Sequence, residues 1–280
     1  MTKKMIVALT VIGAVSFLWA EDDVESPWTK SVLGGINMTQ TGFDNWVAGG
    51  ESAFAWQMSV DYKFIRESEK VTFSNSGRLA YGGTKMAEDE MRKSVDEIKL
   101  ESVMTYKLGA AANPFVAVTG ESQFAAGYAY DVEPVKQISA FWDPGYLRES
   151  IGAGFDLREG IKTRLGVALK QTLTSDYNTP YADDPDTDEI EQTKNEFGFE
   201  SVTDIVLKIS ESSVYTSKVE IFSALNSIEE TDVKWDNVLV VKVSEYINMN
   251  MNVKLLYDSN LSAKRQLKQA MAIGFNYAFI

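Results

Sequence analysis

The chain has 280 residues, 45% of them hydrophobic, a formal net charge of −13, and neither His nor Cys. The acidic balance argues against nucleic acid as a partner. The missing Cys rules out disulfides and a lipidated cysteine, and the two absences together argue against ordinary zinc or iron sites and against any catalysis with a histidine base.

Residues 1–20 read as a targeting segment, with Lys3 and Lys4 ahead of an apolar run from Ile6 to Leu18 and a cleavage site after Ala20. That run is shorter than the ~20 residues of a spanning helix. Residues 21–29 then form a short periplasmic N-terminal segment, and 30–280 the folded unit. No later stretch reaches the ~18 consecutive apolar residues of a membrane helix.

Period-two alternation carries the fold reading. A first segment is predicted over about 30–41. In the second, Phe54, Trp56, Met58, Val60, Tyr62 and Phe64 alternate with Ala55, Gln57, Ser59, Asp61 and Lys63, whereas an amphipathic helix would place apolar residues three and four apart. The rhythm continues through Val71, Phe73, Leu79 and Tyr81, then Ile98, Leu100, Met104 and Tyr106, then Val116, Val118 and Phe124. Segments over 151–157 and 161–169 follow, then 197–209, 215–225, 239–243, 249–257 and 271–279. The connections alternate between short, at 66–69, 109–114, 158–160, 211–213 and 245–246, and long, at 41–51, 83–93, 125–148, 174–195, 226–234 and 258–265. About twelve strands, short turns at one end and long loops at the other predict an all-β, closed antiparallel transmembrane barrel of an outer membrane, with both termini periplasmic. A soluble sandwich fits less well, because its core could not bury the charges on the second face unpaired.

The stretch Ile36-Asn-Met-Thr-Gln40, followed by Asp44-Asn-Trp-Val-Ala-Gly-Gly-Glu51, resembles the signature of a bacterial outer-membrane barrel family catalogued as domain of unknown function 3078. Phe141-Trp-Asp-Pro-Gly-Tyr146, Leu256-Tyr-Asp258 and the end from Gln266 to Phe279 are similar to it as well. The resemblance implies a barrel and no established activity.

Strand parity predicts a lumen of mixed charge: Asp61, Glu101, Glu121, Asp156, Glu200, Asp204 and Glu220 with Lys63, Arg78, Lys99, Arg164, Lys170, Lys208, Lys218, Lys242 and Lys254. Two functions follow. Charges opposed across water make a narrow passive channel for small polar solutes or ions. Charges paired with one another make a non-conducting structural, adhesive or surface-binding barrel. No catalytic constellation is recognisable, so the chain is not read as an enzyme, and no cofactor is expected.

Asp184, Asp186 and Asp188 alternate as at the start of an EF-hand loop, but Glu189 stands where a Gly is needed and Asn195 where the closing Glu belongs. A solvated acidic loop, a weak Ca²⁺ site, or divalent cations bridging to lipid phosphates are the alternatives. Asn45, Trp46, Gly49 and Gly50 in the first long loop, and Trp142 and Pro144 in the third, have two readings, a ligand platform with close backbone approach or an anchor against the barrel rim, and the anchor is the one expected. The third loop is further expected to carry its aromatics over or into the mouth. The expected partners are outer-membrane lipid, small polar solutes or ions, and divalent cations at the acidic loops.

Overall fold

A computed structural model describes residues 27–43, 47, 50–109, 111–179, 181–184, 187–226, 231–258 and 264–279. The targeting segment read over 1–20, and Asn45, Trp46, Gly49 and Asp186, lie outside the described residues.

Among the described residues fourteen strands run in chain order: β1 (Trp28–Thr41), β2 (Ala53–Glu67), β3 (Val71–Met86), β4 (Arg92–Tyr106), β5 (Asn113–Ser122), β6 (Gly127–Ala129), β7 (Lys136–Ser139), β8 (Gly145–Arg158), β9 (Ile161–Leu173), β10 (Thr193–Lys208), β11 (Ser213–Ala224), β12 (Thr231–Lys242), β13 (Ile247–Tyr257) and β14 (Gln266–Ala278). Twelve of them close an antiparallel barrel in the order β1-β14-β13-β12-β11-β10-β9-β8-β5-β4-β3-β2, while β6 and β7 pair only with each other as a ribbon in the third long loop. Closure through the β1–β14 pairing removes part of the unpaired edge that an open sheet would present. The start of β1 and the end of β14 lie at the short-turn end. There Gly109 (φ 69°) and Gly160 (φ 76°) supply the left-handed backbone that tight turns demand.

The strands outrun their apolar signal. β10 begins at Thr193 rather than 197, β12 at Thr231 rather than 239, and β8 at Gly145 inside the segment read as loop. At those ends the lumen-facing positions are charged, which hides the alternation.

Along the strands inward and outward positions alternate, apart from register shifts at Gly82/Gly83 and Asp156/Arg158. Most outward positions are large, apolar and exposed, as with Met58 (51%), Ile151 (58%), Phe199 (58%), Met271 (67%) and Phe275 (60%). A surface so continuously apolar belongs against lipid rather than water. Aromatic pairs gather toward the short-turn end: Trp28 with Phe73, Tyr62 with Phe64, and Tyr277 with Phe279. That is the place of an interfacial girdle.

Candidate functional site

The inward face makes the site. Its residues come from both walls, because alternate positions along each strand point to the axis. Two halves of the lumen differ in kind.

The wall from β5 through β8, β9, β10 and β11 is packed. Phe115, Ala117, Ala168, Val202, Phe222 and Ala224 are buried inside the barrel, with Phe222 and Val202 at 1% exposure. Cations lie over their rings: Arg164 is 5.8 Å from the Phe115 centroid, and Arg148 and Lys170 are 5.9 and 5.5 Å from that of Phe222. Long aliphatic stems cover the aromatics while the charged ends pair above them.

Those ends form a network that crosses the lumen. Lys99 Nζ on β4 lies 2.6 Å from Glu220 Oε1 on β11 and 3.2 Å from Glu121 Oε1 on β5. Lys218 on β11 reaches Glu101 on β4 at 2.7 Å, and Arg164 on β9 binds the other oxygen of the same carboxylate. Lys234 on β12 reaches Glu121 at 2.7 Å. Arg148 joins Glu200 and Glu220 at 3.3 and 3.5 Å, and Lys170 holds Asp232 at 2.6 Å and Glu196 at 3.1 Å. Ion pairs this buried repay desolvation only when each charge has several partners, as most do here. The space left within them, between Thr119, Glu121, Tyr146, Arg148, Lys170 and Lys234, is about 20 Å³, room for about one water. Two of its lining residues, Glu121 and Arg148, carry buried atoms without a hydrogen-bond partner, Oε1 and Nε.

The opposite wall, from β13 through β14 and β1 to β2, carries a neutral stretch between the charges of Asp61, Lys63, Lys254 and Lys268. Gly35, Asn37, Gln57, Ser59, Asn250, Asn252 and Ala272 point inward and keep partial solvent contact. Asn250 Nδ2 donates to Asn37 Oδ1 at 2.9 Å, passing over Gly274 between them. Any side chain at Gly274 would collide with that amide. Between the two halves sits a more solvated set. Arg78 binds Asp61 at 2.7 Å and Glu97 at 3.5 Å, while Lys254 approaches Glu97 at 3.3 Å and Asp236 at 3.6 Å.

Most of the residues expected in the lumen meet there. Asp61, Arg78, Lys99, Glu101, Glu121, Arg164, Lys170, Glu200, Lys218, Glu220 and Lys254 join the network, and Asp204 touches its edge through Lys218 at 3.7 Å. Asp156 pairs instead with Lys162 near the short-turn end, both well exposed. Lys63, Lys208 and Lys242 are exposed toward the same end. Sequence reading missed Glu97, Arg148, Glu196, Asp232, Lys234 and Asp236. All six lie on parts of the strands that reach beyond the segments read from the sequence. Extending each strand until the parity of charges broke would have found them.

The loops depart from expectation in one respect. Trp142 does not enter the mouth; its indole Nε1 stands 2.6 Å from where a Cβ on Gly145 would be, and its far edge 4.0 Å from the equivalent point on Gly120. Both glycines face outward by register with Leu147 and its neighbours, so the aromatic leans on the outside of the rim. Phe141 beside it is 65% exposed. Asp143 is buried and accepts from the amides of Asp176 and Tyr177, at 2.8 and 3.3 Å, which ties the third long loop to the fourth. Ser122 Oγ donates to Pro144 O at 2.9 Å.

The acidic loop closes on itself. Glu191 accepts from Thr187 Oγ1 at 2.6 Å and from Asp184 N at 3.0 Å, and these bonds lower its pKa. Among the described residues no group of three acidic side chains is placed to hold a metal ion. A groove of about 540 Å³ on the outward wall is lined by Ile151, Leu165, Phe199 and Ile221, with Glu200 also among its lining residues.

No curated protein matches this chain. Several solved structures resemble it. One is the translocator domain of the autotransporter NalP from Neisseria meningitidis, with 10% identity, 92% of this chain and 90% of that one covered, and a TM-score of 0.40. Another is an outer membrane channel from Pseudomonas putida F1, with 8% identity, 92% and 99% covered, and a TM-score of 0.41. The KdgM porin in complex with disordered oligogalacturonate is similar at 10% identity, with 89% and 99% covered and a TM-score of 0.34. Residues 38–128 match the family described as Protein of unknown function (DUF3078), which is the family that the stretch from Asp44 to Glu51 resembles.

Proposed function

We propose that the protein is an outer-membrane barrel acting as a narrow passive channel for small polar solutes or ions. The observation that carries this reading is the asymmetry of the lumen. A buried, ion-paired wall narrows the bore, and an amide-lined wall that keeps solvent contact leaves a polar path beside it. The apolar outer surface supports a place in a bilayer. β14, with thirteen residues, spans roughly 30 Å at the usual rise and tilt.

Arg78, Glu97, Asp236 and Lys254 border that path. Opposed charges of both signs favour weak selectivity over exclusion of one sign. Single-channel recording of the refolded mature protein in a planar bilayer tests the proposal. Small, stable steps that grow in Lys254→Ala and shift in selectivity in Glu97→Gln are expected. Insertion with no conductance, in the native chain and in both variants, overturns it in favour of a salt-bridged, non-conducting barrel.

A further inference from the structure

The barrel is zipped unevenly. β1 and β2 are in register over fourteen residue pairs, from Trp28↔Arg66 to Thr41↔Ala53. β1 and β14 are in register only from Leu33↔Ala278 to Met38↔Ile273. Thr39, Gln40 and Thr41 continue as strand, paired to β2, and Gln266–Ala272 continue as strand, paired to β13. Continuing the register would set Thr39 opposite Ala272, Gln40 opposite Met271 and Thr41 opposite Ala270; those pairings are not made. The two strands therefore part above Met38, on the long-loop side of the Asn37–Asn250 clasp.

Backbone left unpaired at bilayer depth is tolerated only where it lines a wet or filled space. The parting has that character on one side and an apolar one on the other. Outward, Met271 is 67% exposed. Inward, Ala270 and Ala272 leave the lumen wall thin, with the amides of Asn250 and Asn252 beside them. One step further along β14 stands Lys268, paired in register with Lys254. Lys254 is met by Glu97 and Asp236, whereas Lys268 is held by the carbonyl of Ser94 at 2.6 Å and has no carboxylate partner among the described residues. A slot between lipid and lumen, with Met271 on one lip, Thr39, Gln40 and Thr41 on the other, and on its lumen side the Lys268 ammonium reaching toward Ser94 on β4, suits one kind of visitor.

We propose that the parted half of the β1–β14 seam is a lateral portal through which a single-chain anionic amphiphile passes between the outer leaflet and the lumen, its head group at Lys268 and its chain between Gln40 and Met271. The inference rests on the membrane-barrel reading above and adds a substrate class that a purely aqueous channel would not take.

The absence of cysteine makes the test direct. Ala272→Cys is labelled with bimane, refolded into vesicles, checked for the heat-dependent gel shift of a folded barrel, and exposed to doxyl-labelled stearate. Ala270→Cys provides a second position in case the first does not fold. Saturable quenching by stearate is expected, several-fold weaker with Lys268→Gln, and little quenching by a doxyl-labelled phosphatidylcholine. No quenching by stearate overturns the portal. Equal, unsaturable quenching by both lipids means mere contact with bulk lipid and overturns it too, as does indifference to Lys268→Gln. Conductance with no stearate quenching sinks the portal alone; loss of conductance together with exclusion of aqueous iodide from the label sinks the channel as well.

Discussion

Lys99 and Glu220 meet across the lumen rather than along the wall. β4 and β11 lie five steps apart in the barrel order, yet Nζ and Oε1 are 2.6 Å from each other. Because each also has neighbours of opposite charge, removing one partner leaves a buried charge short of compensation. Glu220→Gln is expected to destabilise the barrel by about 3–5 kcal/mol. The double variant Lys99→Met with Glu220→Leu should be less destabilised than the sum of its parts, by about 1–3 kcal/mol. Urea unfolding of the refolded protein followed by tryptophan fluorescence measures both, and strict additivity would mean that the two charges are not coupled.

Phe222 lies under Arg148 and Lys170 at 1% exposure. Phe222→Ala should cost about 3–5 kcal/mol, since the cavity cannot be filled by side chains whose ends are already held in ion pairs. Phe222→Leu should retain most of that stability. The same unfolding experiment distinguishes a packing role from one confined to the cation contacts, which the leucine variant would lose.

Trp142 fixes the third long loop by resting outside Gly120 and Gly145. Its replacement by alanine removes about 1–2 kcal/mol of packing, enough to raise the open population of the loop roughly 5- to 30-fold. Trypsin cleavage after Lys136, in the β6–β7 ribbon, should accelerate to that degree in Trp142→Ala. An unchanged cleavage rate would place the anchor elsewhere.

Glu191 titrates below the usual range for glutamate because Thr187 Oγ1 and the Asp184 amide donate to its carboxylate. A depressed pKa in the folded loop means that the bonds contribute fully above the ordinary glutamate value of about 4.3 and are lost as the pH falls through the folded value. Amide exchange of Asp184, corrected for intrinsic rate, should therefore rise as the pH is taken from 6 to 3. Glu191→Gln should flatten that profile. A profile unaffected by the substitution would show that the loop is held by other bonds.

The barrel and most of its lumen were legible because each strand repeats one rule, and a strand such as 54–64 states it without a break. Legibility failed where function crowds the rule. Arg148 lies within a segment read as loop because Tyr146 and Leu147 interrupt no visible alternation, and Asp232, Lys234 and Asp236 mask the first half of β12 with polarity on every second residue. Of the aromatics in the Phe141–Tyr146 stretch, Tyr146 turns inward as expected, beside Glu121, Arg148 and Lys234. The outward seat of Trp142 depends on Gly145 lying close to Gly120, which pairs with Leu147, a register that no local pattern reveals.

The seam between β1 and β14 also orders the birth of the molecule. Asn37 and Asn250 are 213 residues apart, and the free energy of joining chain segments so distant is recovered only after the intervening hairpins have formed. The pairing of Leu33–Met38 with Ile273–Ala278 therefore carries the largest loop-closure cost of any strand pair in the barrel. A chain that stops zipping there, six residue pairs in, keeps for its working life a remnant of the unclosed sheet from which it was made.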